Sequence, residues 1–121
     1  MILMKTVLIV DDSAVMRRMM KHIVTSYGYD AVGEANNGRV GVEKYKELKP
    51  DVVTMDVTMD EMNGLEALRW IRKYDSEAKV LMVSSMGQEV VVREAITLGA
   101  RGFILKPFDA RQIFDALNKL C

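Results

Sequence analysis

Asp11, Asp12 and Asp56 stand where two short apolar runs stop. Val7–Leu8–Ile9–Val10 ends abruptly in Asp11–Asp12, and Val52–Val53–Thr54–Met55 ends in Asp56, followed by the loop 57–64. Two further runs finish in polar residues of a different kind: 79–83 in Ser84, and 102–105 in Lys106–Pro107. Carboxylates crowded together repel one another and gain proton affinity unless a hard cation such as Mg2+ keeps them ionised. An ionised carboxylate can attack a phosphoryl group to form an acyl phosphate. That chemistry needs a cation and hydrogen-bond donors around the equatorial oxygens, which Mg2+, the Ser84 hydroxyl and the Lys106 ammonium would supply.

Each of these residues has a plainer reading when taken alone. Asp12 or Ser13 would serve as the N-cap of a following helix, Asp56 and Ser84 as turn residues, and Lys106 as a solvated strand end. The combination of all of them at strand ends favours chemistry. Pro107 lowers the cost of a cis peptide bond to ~0.5–1 kcal/mol, so a tight Lys106–Pro107 turn can aim the ammonium into an acidic pocket.

The elements that must position these groups follow from the hydrophobic pattern. Short Val-, Ile- and Leu-rich runs alternate with longer amphipathic segments, which predicts an α/β fold with a parallel sheet covered by helices on both faces. Strands are expected near 5–10, 31–35, 51–56, 79–84 and 102–106, and helices near 13–27, 38–48, 63–73, 87–98 and 109–120. Gly28 and Gly99 fall where the first and fourth helices should stop in a left-handed residue, and Pro50 follows the second. In such doubly wound sheets ligands bind at the carboxyl ends of the strands, where the winding direction reverses.

With 121 residues the chain is expected to form one domain, 1–121. Its 17 basic and 17 acidic residues cancel, so neither nucleic acid nor an anionic membrane is an expected partner. Cys121 is the only cysteine, which excludes an intramolecular disulfide, fits a reducing cytoplasm and predicts an exposed terminal thiol. No apolar stretch reaches the ~20 residues of a membrane span. A cytoplasmic protein is expected. Met4 opens the first strand segment, so Met1–Leu3 reads as an extension or an alternative translation start.

Met16, Met19, Met20 and Ile23 recur at helical spacing and are expected to fill the core. His22, beside Arg17, Arg18 and Lys21, lies on the other face without the neighbours of a metal ligand. Gly38–Arg39–Val40–Gly41 lacks the spacing of a nucleotide loop and reads as an ordinary helix start. Val90, Val91 and Val92 cannot all face the sheet at 100° per residue, so at least one should be exposed or covered by a partner.

Asp11–Asp12 after the first strand, Asp56 after the third with Met62–Asn63–Gly64 beyond it, Ser84 after the fourth, and Lys106–Pro107–Phe108 after the fifth together resemble the receiver domain of bacterial response regulators. The resemblance covers essentially the whole chain. It implies a flavodoxin-like five-stranded sheet in the order 2-1-3-4-5, and it implies that Asp56 accepts a phosphoryl group from a phosphohistidine of a sensor histidine kinase. It implies further that Asp12, Asp56 and the backbone carbonyl of Thr58 bind Mg2+, with Asp11 contributing through water. Ser84 and Lys106 would contact the phosphoryl oxygens. Phe103 stands in the place of the aromatic switch residue that moves with Ser84 and reshapes the face of helix four, strand five and helix five. One residue departs from the pattern: Asp60 follows Met59 where the family usually has proline, leaving a looser turn and a fourth acid, expected to face solvent.

The stretch Ser85–Met86–Gly87–Gln88 and the methionine-rich first helix are similar to stand-alone chemotaxis receivers. That similarity implies a monomer that catalyses only its own phosphorylation and dephosphorylation. When phosphorylated it would bind the flagellar motor switch or another output protein, and a phosphatase could be a further partner. The alternatives are a receiver fragment of a larger regulator such as a chemotaxis methylesterase, or a phosphorelay intermediate. A small Mg2+-dependent phosphatase of the haloacid dehalogenase type is a further alternative. It generally needs a second acid two residues past the nucleophile, where this chain has Thr58.

Overall fold

The five apolar runs form a single parallel sheet in the order β2-β1-β3-β4-β5. The computed structural model describes residues 4–121, so the reading of Met1–Leu3 falls outside the described residues. In chain order the elements are β1 (Thr6–Val10), α1 (Ala14–Ser26), β2 (Asp30–Ala35), α2 (Gly38–Leu48), β3 (Val52–Met55), α3 (Gly64–Tyr74), β4 (Val80–Ser84), α4 (Glu89–Thr97), β5 (Gly102–Leu105) and α5 (Ala110–Leu120). Every expected element is present. The largest boundary difference is at α4, which starts at Glu89 rather than 87 and lacks a side-chain N-cap bond at Gln88.

Alternation of side chains along each strand divides the interior into two layers. Leu8, Val10, Val53, Met55, Val80 and Met82 face Tyr45 of α2, Ala67, Leu68 and Ile71 of α3, and Ala95 of α4. Val7, Ile9, Leu81 and Val83 face Met20, Ile23 and Val24 of α1 and Ile113 and Leu117 of α5. Because both faces are covered, β1 is apolar from Val7 to Val10 and β3 is fully buried with Thr54 as its only polar residue, the near-continuous apolar pattern of buried parallel strands.

The expected methionine stripe is corrected in one place. Met20 and Ile23 are buried and Met16 is half-buried, but Met19 is 44% exposed, and Val24 completes the stripe instead. One residue back from Met20 is a 100° turn, which carries Met19 off the narrow face that α1 presents to the sheet. The valine expectation holds, with Val90 exposed and Val91 packed against the first layer.

Hydrogen-bonding side chains set the helix starts. Ser13 caps α1, Asn37 caps α2, Asn63 caps α3, and Asp109 with Gln112 forms a capping box on α5. Gly28 (φ 88°) and Gly99 (φ 101°) take the expected left-handed conformation after α1 and α4. Between α2 and the end of α3, the Tyr45 hydroxyl donates to Asp75 Oδ2 at 2.6 Å. Burial and that bond push the tyrosine above its ordinary pKa, and the same bond, helped by the Glu77 amide, holds Asp75 below the usual carboxylate value.

Gly38 opens α2 as expected, but it is more constrained than an ordinary helix start. A Cβ there would overlap the Met62 carbonyl, to which the Gly38 amide donates at 2.9 Å. Gly64 is tighter still, because a Cβ would overlap the carbonyl oxygen of Asp56. Both glycines bring backbone against the loop that leaves β3.

Candidate phosphoacceptor and cation site

Backbone pairing sets the acids side by side. Val10 and Met55 are partners at the ends of β1 and β3, and the Asp56 amide then donates to the Val10 carbonyl at 3.0 Å. The Asp11 amide donates to Ala35 at the end of β2, also at 3.0 Å. Asp11 and Asp56 therefore leave neighbouring strands at the same rim, where the sheet order reverses direction between β1 and β3. That is the crevice in which α/β sheets hold ligands.

Asp11, Asp12 and Asp56 each place one carboxylate oxygen within 4.8 Å of the others. Opposite ligands of an octahedral Mg2+ are about 4.2 Å apart, twice the usual bond length, so this acid set fits a hard cation with a small closure or a bridging water. Asp11 and Asp56 are buried and Asp12 is exposed, which leaves an open side for water and a phosphodonor. The Asp56 pKa is raised to about 6, with burial as the largest cause. The ammonium of Lys106 pulls it down, and the charges of Asp11 and Asp12 push it up again.

Lys106 reaches into the cluster. Its Nζ lies 2.9 Å from Asp11 Oδ2 and 3.5 Å from Asp56 Oδ1, so the nearer bond is to Asp11. The Lys106–Pro107 peptide bond is cis, the form the sequence reading allowed. The Lys106 amide also donates to the Ser84 carbonyl at 2.9 Å, which keeps the ends of β4 and β5 together.

Ser84 is fully buried, and its Oγ accepts from the Met86 amide at 3.0 Å. The hydroxyl proton remains available to donate. Thr58 is exposed, and its hydroxyl donates to Met86 Sδ at 3.0 Å. This pairing joins the loop after β3 to the loop after β4. Phe103 is half-buried on β5, beside Met82 in the sheet, and packs against the same layer as Val91. Asp60 is exposed, and its carbonyl accepts from Met62 at 2.7 Å in a turn where Glu61 is left-handed (φ 64°). His22 is exposed on α1, and Cys121 is exposed at the end of α5.

One neighbour of the acids lay outside the sequence reading. Arg17, grouped there with the solvated face of α1, donates from Nη1 to the Asp11 carbonyl at 2.8 Å. Nothing in the spacing of Asp11 and Arg17 marks that contact, since it depends on how α1 lies against β2.

An acidic cluster at the switch point with an inward lysine makes this rim a candidate phosphoacceptor and cation site of an α/β domain, and comparison with known proteins narrows the class. The response regulator receiver domain family matches residues 7–118, and the chain belongs to that family. Within it, the chain is 58% identical over 116 residues to the chemotaxis protein CheY of Thermotoga maritima, covering 96% of this chain and 97% of that one. Among solved structures it resembles the CheX–CheY–BeF3–Mg2+ complex of Borrelia burgdorferi, with 36% identity, a TM-score of 0.94, and coverage of 96% of this chain and 88% of that one. It also resembles the response regulator domain of Thermotoga maritima CheB, with 42% identity, a TM-score of 0.87, and coverage of 98% and 94%. No helix among the described residues is long and apolar enough to cross a membrane.

Proposed function

We propose that this receiver domain is switched by phosphorylation of Asp56 and signals in chemotaxis by changing what it binds. The observation that carries the reading is the convergence of Asp11, Asp12 and Asp56 within 4.8 Å, with Lys106 Nζ 3.5 Å from Asp56 Oδ1. An Asp56 oxygen attacks the phosphorus of a kinase phosphohistidine. The O–P bond forms as the N–P bond breaks, and the imidazole leaves with a proton. Asp12, Asp56 and the Thr58 carbonyl would hold Mg2+, with Asp11 through water, and the bound cation would neutralise charge on the transferring group. Lys106 exchanges part of its bond to Asp11 for one to a phosphoryl oxygen, and the Ser84 hydroxyl donates to another.

In this reading the domain is not an enzyme for a separate substrate, and it works in the cytoplasm as a monomer. Its partners are a sensor histidine kinase and an output protein such as the flagellar motor switch. The chemotaxis assignment is supported by 58% identity to a CheY, against 42% to the receiver of CheB. An output face on α4 and β5 is supported by Val90, Ile96 and Leu105, each at least half exposed. Acetyl phosphate and a panel of phosphate monoesters test the reading together. The expected outcome is one phosphoryl group per chain, slow turnover and no monoester hydrolysis, whereas rapid hydrolysis of many esters would make the protein a phosphatase.

The Thr58–Met86 pairing carries a prediction about lifetime. Water must approach the acyl phosphate in line with the breaking bond, and the Met86 side chain flanks that approach. Met86→Ala should speed loss of phosphate by several-fold, followed by radiolabel decay after the donor is removed. An unchanged or slower decay would count against the obstruction.

A further inference from the structure

Arg17 grips the peptide group that joins Asp11 to Asp12. It sits in the first turn of α1, with its own amide bonded to the Ser13 carbonyl at 3.0 Å. From there the guanidinium forks. Nη1 donates to the Asp11 carbonyl at 2.8 Å, and Nε pairs with Glu34 Oε1 on β2 at 3.2 Å. The Asp11 amide is already bonded to the Ala35 carbonyl, the residue after Glu34. Asp11 is thus tied to β2 at both of its backbone polar groups, directly through the amide and through Arg17 at the carbonyl.

The consequence falls on Asp12. The Asp11 side chain has its own anchors, Oδ1 accepting from the Ser13 amide at 2.9 Å and Oδ2 from Lys106 Nζ at 2.9 Å. Asp12 is exposed, and its aim depends on the peptide plane that carries it. Charge alone would set Arg17 against cation binding, since a guanidinium beside a Mg2+ site repels the ion. Glu34 offsets part of that repulsion. What remains is geometric, because a planar fork can hold two acceptors at once and a lysine ammonium cannot match that arrangement.

We propose that Arg17, anchored by Glu34, is a positioning residue that aims Asp12 at the cation site by locking the Asp11–Asp12 peptide. The proposal rests on the reading of Asp11, Asp12 and Asp56 as a Mg2+ site. Groups that orient metal ligands typically change affinity about tenfold or more when removed. The test is a calorimetric Mg2+ titration at fixed ionic strength on the parent, Asp12→Ala, Arg17→Met, Arg17→Lys and Glu34→Gln proteins, each checked for folding by circular dichroism.

Asp12→Ala should weaken binding strongly, which reports on the site itself. Arg17→Met should weaken it about tenfold. Arg17→Lys should fall between parent and Arg17→Met, because it keeps the charge but not the fork. Glu34→Gln, at an exposed position that leaves the fold intact, should weaken binding by a smaller factor and serves where Arg17→Met does not fold. If Asp12→Ala binds Mg2+ like the parent, the cation-site reading falls and the proposal with it. If Asp12→Ala is weak while Arg17→Met, or Glu34→Gln in its place, binds as tightly as the parent or tighter, the positioning role alone is overturned. Arg17→Lys binding like the parent would overturn it too.

Discussion

Gly64→Ala is expected to cost more stability than any other methyl group added to this chain. The new Cβ would overlap the Asp56 carbonyl and press on the Val57 backbone, and neither atom belongs to a flexible side chain that can swing aside. The Gly64 amide is held in place by a 2.7 Å bond to the Val57 carbonyl, so relief requires giving up that bond or moving the start of α3. Overpacking in rigid surroundings costs ~1–3 kcal/mol and sometimes more, and losing a buried hydrogen bond adds roughly 1 kcal/mol. At roughly 4 °C per kcal/mol for a domain of this size, Tm should fall by about 10 °C or more. Gly28→Ala is the comparison, because it meets nothing within 4 Å and pays only for a left-handed alanine. Its cost should be ~1–2 kcal/mol. Equal losses in the two variants by thermal unfolding would contradict the close approach at Gly64.

Asp56→Asn should have the opposite effect on the metal-free protein. In the unfolded chain Asp56 ionises near 3.8, whereas in the folded protein burial raises its pKa to about 6. Between these values the folded state holds the extra proton, so stability falls as pH rises from 4 to 6 and stays reduced at neutral pH. A shift of about two units corresponds to about 3 kcal/mol, and part of it returns as a cost of burying the asparagine amide. The variant should therefore be more stable than the parent by about 1–3 kcal/mol at pH 7 without metal, and the gain should vanish at pH 4 and below. Mg2+ should reverse the order by stabilising the parent more than the variant. Denaturant unfolding at pH 4 and pH 7 measures all of this. A pH-independent difference would show that the neutral amide acts through packing and not through relief of a buried charge.

The features legible in the sequence are those that depend on local pattern. β1 and β3 announce themselves as nearly continuous apolar runs, broken only by Thr54, because parallel strands are covered on both sides, and the charged residue that ends each run marks the rim. Asp11, Asp56, Ser84 and Lys106 could be placed there from strand ends alone, before any coordinates. What was not legible depends on how distant segments settle against one another. Gly38 looks like an ordinary helix start until the Met62 carbonyl, far along the chain, arrives beside it. Arg17 looks like surface until Glu34 of β2 is seen across from it. Met19 looks like core from its spacing, because periodicity does not reveal how narrow a stripe a helix will bury. The sequence also left open which acid Lys106 would favour, and the structure pairs it more closely with Asp11 than with Asp56.

The central claim is that Asp56 is the phosphorylated residue and that a divalent cation is needed. The most direct measurement is the intact mass of the parent and Asp56→Asn proteins after incubation with acetyl phosphate, with Mg2+ and with a chelator. The account predicts a single added phosphoryl group on the parent with Mg2+ and none in the other three samples. Full labelling of the Asp56→Asn protein, or labelling of the parent that is indifferent to the chelator, would contradict it.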